Sequence, residues 1–579
     1  MVERTIIVVM SGMLFLACGS GDAATGTETA DDVSEPVRSA TPPEGDIDAP
    51  VRPAQDDVEE VAEPLCSTGP RWGADVPVAA PGASLPTYAW AEAPIEAPGF
   101  THSVASGDPL ADRVILWTRF EADADGAPLD VYWEVATDVA FAERVLAGWT
   151  TTSVERDYTV KVDAVGLAAG ASYYYRFRAL GHDSPIGRTR TAPDGCHERL
   201  RIAVASCASY ARGYFVPYRE IAQDADLDVV LHLGDYIYEY GGSGVRVMAP
   251  PWEIVTASDY RLRYAHYRSD PDLQEAHRQH PWIVTWDDHE SANDAYATGA
   301  QNHNAGEGDW SERKVVAAQV YAEWMPLREK ANPVSIWRAF RFGDLIDLMI
   351  LESRLTARSQ QGTWDDPSVF HDPERTMLGE EQEAWLSAQL RDSTATWAFI
   401  GQQVMVGQLQ SDGFAFNPDQ WDGYTVARER LFAAIEAGGA DNTVVLTGDI
   451  HSSWGMDLAH TPQDPATYDP STGEGAFAVE FITPGVSSTV ELSNDVLEFV
   501  DWETFAPHVQ YRDIDRTGYL ALDVSREGTE AVWHHIDNVA DIEAVSEVAK
   551  SMAVYDGVPH VVELEAHRAP RALAPPLAP

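Results

Sequence analysis

The chain has 579 residues, 45% of them hydrophobic, with 92 acidic side chains against 40 basic ones and a formal charge of −52. That length is enough for two or more domains with real cores. The charge excludes a nucleic-acid-binding module, because a polyanion would be repelled rather than gain from counterion release.

In chain order, the first feature is an apolar stretch from Thr5 to Ala17. It is too short to span a bilayer as a stable helix and fits a secretory h-region. The stretch ends in Leu14-Phe15-Leu16-Ala17-Cys18-Gly19, a sequence of bacterial lipobox type. Residues 1–18 therefore read as a signal peptide, with Cys18 as the lipidated N-terminus of the mature protein; an ordinary signal peptide cleaved nearby is the alternative. The expected location is a bacterial cell envelope, facing the periplasm or exterior, with the lipid anchor as the membrane contact. The protein is expected to be a monomer.

Residues 19–97 follow as an acidic, Pro-rich tether, because the stretch up to about residue 65 has almost no aromatic or large aliphatic side chains to offset the entropy of ordering it. Tyr132-Trp133-Glu134-Val135-Ala136 and Asp157-Tyr158-Thr159-Val160-Lys161-Val162 then alternate in the manner of sandwich strands, which gives a β-sandwich domain over 98–195. The region 196–545 mixes strands with helices; from Glu381 to Leu390, for example, Ala384, Trp385, Ala388 and Leu390 fall near one helical face. Residues 546–579 read as a C-terminal tail, loose from His560 onwards where Pro and Ala dominate.

Four segments in the mixed region carry the chemistry: Ser206-Cys207, Gly234 to Glu239, Trp286 to Glu290 and Gly448-Asp449-Ile450-His451. Each follows a β-branched-rich apolar run, at 201–205, 227–231, 281–285 and 442–446, of the length expected for a buried strand. Ligands in sheet-based enzymes assemble beyond such strand ends. Cys207, Asp235, Tyr238 and His451 would give one metal centre a thiolate and a phenolate, which suits ferric iron better than magnesium. Asp235 with Asp288 and Asp449 would give a neighbouring centre of oxygen donors, suited to calcium, manganese or magnesium. Asp235 is the natural bridge, and two cations roughly 3.5–4 Å apart can activate a water and clamp the oxygens of a phosphoryl displacement. His289 would protonate a leaving group or steady the transferring oxygens. Tyr236 and Tyr240 read as packing residues, Asp287 as a possible cap of the following turn, and Glu239 and Glu290 as either ligands or acceptors that position the ligands.

These segments resemble the PhoD-type alkaline phosphatases and phosphodiesterases of the calcineurin-like metallophosphoesterase superfamily. The resemblance extends to Phe100 through Pro109 with Val114 to Arg119, to Tyr173 to Phe177 and Ser184 to Pro193, and to Met377 through Leu386 with Glu480 to Pro484. It implies an α/β fold, a four-layer α+β metallophosphoesterase sandwich over 196–545, preceded by an immunoglobulin-like β-sandwich. It further implies Fe3+ held by Cys207, Asp235, Tyr238 and His451, and Ca2+ held by Asp235, Asp288 and Asp449. By the same resemblance Asn293 is a candidate metal or phosphate contact, and Arg354, in Leu351-Glu352-Ser353-Arg354, a candidate substrate-binding residue whose alternative is a surface ion pair.

The expected activity is hydrolysis of phosphate mono- or diesters by a metal-activated hydroxide. The alternatives are a phospholipase D-like phosphodiesterase, a hydrolase of another ester, and a catalytically silent envelope lipoprotein. Of the four cysteines, assigning Cys18 to lipid and Cys207 to metal leaves Cys66 and Cys196 as an expected disulfide in an oxidising envelope.

Overall fold

The computed structural model of the protein describes residues 66, 69–76, 85–89, 97–121, 126–411, 414–439, 442–490 and 500–579. The signal peptide, the lipobox with Cys18 and the tether up to residue 65 lie outside the described residues. Among the described residues, no helix is long and apolar enough to cross a membrane.

Two large sheets form the centre. In one, the strands Arg199–Ala205, Val229–Leu233 and Pro281–Thr285 run parallel. In the other, Ile346–Ile350, Trp397–Gln402, Thr443–Thr447 and Ala478–Ile482 run parallel. Strands buried on both faces must be apolar throughout, and Val229–Leu233 and Thr443–Thr447 are buried at every position. The facing sides meet in one core that includes Ile202, Leu231, Ile283, Leu348, Phe399 and Leu446.

Helices cover the outer faces. Ala257–Tyr267 and Trp310–Trp324 pack Tyr260, Tyr264, Tyr321 and Trp324 against the first sheet. Gly379–Asp392 and Thr425–Ala437 pack Leu386, Leu390, Leu431 and Phe432 against the second. Local sequence sets where they start: Thr256 and Asp259 form a reciprocal capping box, and Asp270 caps a helix that opens with Pro271.

The first sheet does not stop at these three strands. Val104–Leu110 pairs parallel with Pro281–Thr285, Ser106 opposite Pro281, and carries Arg113–Arg119 and Thr159–Val165 beyond it. An antiparallel sheet that includes Leu129–Ala136, Arg144–Thr152 and Ser172–Ala179 packs over this extension through Val104, Leu116, Val131, Val160, Tyr173 and Phe177. The N-terminal layer is thus hydrogen-bonded into the main sheet.

Two boundary expectations are corrected. Part of the expected 19–97 tether is docked: Arg71 bridges Ala171, Val76 is buried, and Tyr88 packs on Tyr132 and Trp149. These few apolar anchors suffice once a sandwich face is available. The expected tail over 546–579 begins instead with two strands, Ser546–Tyr555 and Val558–Glu563, at the edge of the first sheet. The chain beyond is held by Arg571 on Asp226 and Asp228, by Arg188 Nη1 donating to Pro575 O (2.9 Å) and by Gln279 Nε2 donating to Ala578 O (3.0 Å). A Pro-rich segment makes few bonds of its own, but its carbonyls accept from side chains of an existing fold. Cys66 and Cys196 are joined by a disulfide, as expected.

Candidate metal centre

Each of the four motif segments leaves its strand at the same end. Cys207 follows Arg199–Ala205, Asp235 follows Val229–Leu233, Asp288 and His289 follow Pro281–Thr285, and Asp449 and His451 follow Thr443–Thr447. Parallel strands point one way, so loops distant in sequence converge on one place.

The convergence is tight enough to bend the backbone out of its ordinary regions. Cys207 (φ 60°), Asp235 (φ 54°), Asp449 (φ 63°) and His451 (φ 56°) are all left-handed, a conformation that costs a non-glycine residue on the order of 1–3 kcal/mol. Gly234 shows why the motif begins with glycine: its φ is +104°, and a Cβ there would lie 2.4 Å from the Asp287 Cβ.

Three sets of side chains bring their ligating atoms within 4.8 Å of one another: Cys207, Asp235 and His451; Asp235, Asp288 and His289; and Asp287, Asp288 and Asp449. Tyr238 joins the first set, its hydroxyl donating to Asp235 Oδ2 (3.1 Å) and lying 3.1 Å from His451 Nε2 and 2.7 Å from Ser488 Oγ. Asp235 belongs to the first two sets, and Asp288 joins the second to the third. All six expected ligands therefore meet. Asp287, read from sequence as a possible cap, sits among them.

Burial is the largest influence on Cys207, Asp235, Tyr238, Asp449 and His451. It pushes the Cys207 thiol and the Tyr238 phenol up, the Asp235 carboxylate assisting in both cases. Asp235 is likewise raised by burial, with Asp287 and Asp288 adding to the effect, and Asp449 is pushed up to about 7. Burial and the neighbouring His289 hold His451 down to about 3. In protein alone these groups are driven toward their neutral forms, the pattern expected of a site that lacks positive charge.

Part of the compensation is built in. Arg354 is fully buried and donates from Nη1 to Asp419 Oδ2 (2.7 Å), from Nη2 to Asp449 Oδ1 (2.9 Å) and from Nε to Asp287 Oδ1. Arg358 shares Asp419 from the other side (2.8 Å). This corrects the surface-ion-pair alternative for Arg354, whose guanidinium is buried among carboxylates. Sequence shows the residue type but not its burial, and Asp419, in a loop, carried no motif by which to find it.

The remaining motif residues hold the loops. Glu290 accepts from the backbone N–H of Asp235 (3.0 Å), Tyr236 (2.6 Å) and Asp287 (2.8 Å), fastening two motif loops with one carboxylate. Glu239 lies 2.6 Å from His289 Nδ1 and accepts from Asn293 N (2.7 Å) and Asn302 Nδ2 (2.9 Å). Burial opposes a charge on His289, but Glu239, Asp235 and Asp288 outweigh it and hold the imidazolium well above its ordinary range. Asn293 is buried with its amide donating to Gln301 Oε1 (3.1 Å). Tyr236 is core, its hydroxyl bonded to His277 (2.9 Å), whereas Tyr240 packs its ring on His289.

The residues fit metal. Among the described residues, Asp235 Oδ1 is buried without a hydrogen-bond partner, as is Asp287 Oδ2, and buried carboxylate oxygens are seldom left so unless an ion or water takes them. The donors around Asp235 are a thiol, a phenol and an imidazole, and those around Asp288 are carboxylates.

Comparison with known proteins gives concordant results. The family model described as "PhoD-like phosphatase" matches residues 202–533, and that described as "PhoD-like phosphatase, N-terminal domain" matches 87–193. The chain is 37% identical over 455 residues to alkaline phosphatase D of Bacillus subtilis (strain 168), covering 74% of this chain and 76% of that protein. A solved structure described as "Structure of PhoD" aligns with a TM-score of 0.75 at 32% identity, over 83% of this chain and 95% of that one.

Proposed function

The chain belongs to the PhoD-like phosphatase family, and from that premise we propose that this phosphoesterase hydrolyses phosphate mono- or diesters at a dinuclear metal site. The observation that carries the proposal is the meeting of Cys207, Tyr238 and His451 with Asp288 around Asp235, whose Oδ1 has no protein partner. Cys207, Asp235, Tyr238 and His451 would hold ferric iron, which suits thiolate and phenolate donors. Asp235, Asp288 and Asp449 would hold calcium or another hard divalent ion.

When bound, such metals acidify water and stabilise charge on phosphoryl oxygens. The protein's own residues do the positioning. Glu239 fixes the His289 ring through Nδ1, leaving Nε2 as the position from which a proton can pass to a leaving oxygen. Glu290 keeps the Asp235 and Asp287 loops in register, and Arg354 keeps Asp287 and Asp449 together. Ser206 is not assigned as a nucleophile: it is fully buried and bridges Gly485 at the strand end.

The finer fold reading is a four-layer metallophosphoesterase sandwich preceded by an immunoglobulin-like domain. It is supported by the helix-covered, face-to-face sheets and by the antiparallel sheet packed over residues 104–165. The protein is further proposed to be a monomer in a bacterial envelope, anchored through lipid on Cys18; the Cys66–Cys196 disulfide suits that oxidising compartment. Metabolic palmitate labelling tests the anchor: label lost in Cys18→Ser supports it, and label retained refutes it. The catalytic proposal is tested by assaying an aryl phosphate monoester and diester at alkaline pH after chelation and after return of iron with calcium. Activity that is lost and then restored is the expected result; full activity in the chelated protein would overturn it.

A further inference from the structure

Away from the metal centre, a cavity of about 460 Å³ opens where the N-terminal layer meets the helix Trp310–Trp324 and the loop after it. Its lining inverts the charge of the chain. Five basic side chains, Arg156, Arg261, Arg328, Lys330 and Arg338, face three acidic ones, Glu155, Glu323 and Glu329, in a protein with 92 acidic residues to 40 basic.

The carboxylates available to these cations are shared or already taken. Glu329 serves both Arg156 and the half-buried Lys161 (3.0 Å to Lys161 Nζ). Glu323 is bound by Arg261 (2.7 Å), and Asp108 receives Arg338 (2.7 Å) together with the backbone N–H of Arg328 (2.8 Å). Arg328 pairs through Nη2 with Asp163 (3.1 Å), while among the described residues its buried Nε has no hydrogen-bond partner. Lys330 donates to a carbonyl, Trp337 O, and among the described residues has no carboxylate within ion-pair distance. Burial, together with the nearby Arg338 charge, pulls the Lys330 ammonium below its ordinary range. A concave site of this size lies in the range of small-ligand pockets, and clustered guanidinium donors match tetrahedral oxyanions.

We infer that this cavity is a second anion site, distinct from the metal centre, that takes a small phosphate-bearing dianion: inorganic phosphate or the phosphoryl group of a small ester. Its inner wall is Trp286, whose indole N–H donates to Glu352 Oε1 (3.0 Å), the same oxygen that accepts the N–H of Arg354 (2.8 Å). The ligand would therefore sit one side chain from the motif loop that begins at Asp287.

The test is calorimetric titration of full-length mature protein carrying Asp235→Asn, so that the metal centre does not dominate the binding. Inorganic phosphate and glycerol phosphate are used as separate probes in sulfate-free buffer. Binding to this parent should weaken by about tenfold or more when Arg156→Gln and Lys330→Gln are added, since charge-assisted hydrogen bonds are removed. Arg156→Lys with Lys330→Arg, which keeps both charges, should restore much of it. Tighter binding of inorganic phosphate than of the ester would identify the reaction product as the occupant, and the reverse order an ester. Equal affinity in parent and Gln variants, or no binding to the parent, would overturn the site. With the native Asp235, the Gln pair should leave kcat in phosphate-free buffer unchanged, and both substituted side chains lie at the surface side of the cavity, so folding is expected to persist.

Discussion

Asp228 and Asp235 flank the same strand, Val229–Leu233, and both are buried, yet their carboxyl groups behave in opposite ways. Burial works against ionisation at each. At Asp228 the Arg571 and Arg190 guanidiniums outweigh it and hold the pKa down to about 2. At Asp235 burial, with the carboxylates of Asp287, Asp288 and Glu290 adding to it, outweighs the lowering effect of His289, and the pKa is raised. One end of the strand is balanced by the protein itself, with Arg190 2.5 Å and Arg571 2.8 Å from Asp228, and Arg201 3.0 Å from Asp226. The other end, with four left-handed ligand candidates and carboxylate oxygens lacking partners, waits on charge from outside the chain. The difference separates a structural ion-pair network from a candidate metal site more clearly than burial or residue type does.

Substitution on each side should break the comparison differently. His289→Ala is expected to lower kcat by about 10²–10⁴-fold, the usual worth of a positioned acid or base, with metal content near that of the native protein; metal analysis beside steady-state kinetics checks both halves. Asp228→Asn leaves Arg190 and Arg571 short of a partner and should cost about 3–5 kcal/mol of stability, as breaking a buried pair does, with kcat/KM per folded molecule unchanged. Denaturant unfolding with activity on the same samples reads this; a large kcat loss would place Asp228 in the catalytic machinery after all.

A pH series sharpens the same contrast. Asp449, Glu290 and Asp294 are each pushed up to about 7 in metal-free protein, burial being the first cause. Between about pH 4 and 7 the native metal-free state therefore holds protons that the unfolded chain has released, so its stability falls as pH rises through that window. Asp228 has the opposite sign, and its contribution is lost only as pH falls below about 4 toward 2. The Tm of metal-free protein should drop from pH 5 to pH 8 while that of metal-loaded protein does not; parallel curves would contradict the charge account. Removing residues 564–579 breaks the same network from its other side. That deletion should lower Tm through loss of the Arg571 and Gln279 contacts and leave kcat intact, because these contacts gather at the strand end opposite the metal residues.

Much of this was legible in the sequence. Arg199–Ala205, Val229–Leu233, Pro281–Thr285 and Thr443–Thr447 lie within two residues of the runs read as strands, because strands buried on both faces carry a continuous apolar signal. The residues that meet at the candidate site were legible for the same reason, since each follows such a run. The pairing of Ser106 with Pro281 was not, because register between residues so far apart leaves no local trace. Nor was the strand Ser546–Tyr555, whose first half is exposed or half-exposed and reads like tail. The carboxylate partners of Arg354, and Asp419 and Asp294 altogether, escaped for a third reason: their role lies in which charges surround them, and only the fold brings those charges together.

The most direct test of the account is metal analysis of native protein and of Asp235→Asn, each paired with phosphate release from an aryl ester. The account predicts two metals per native chain and, in the variant, loss or disorder of both centres together with loss of turnover. Full metal content and activity in Asp235→Asn would contradict the shared carboxylate on which the proposed site rests.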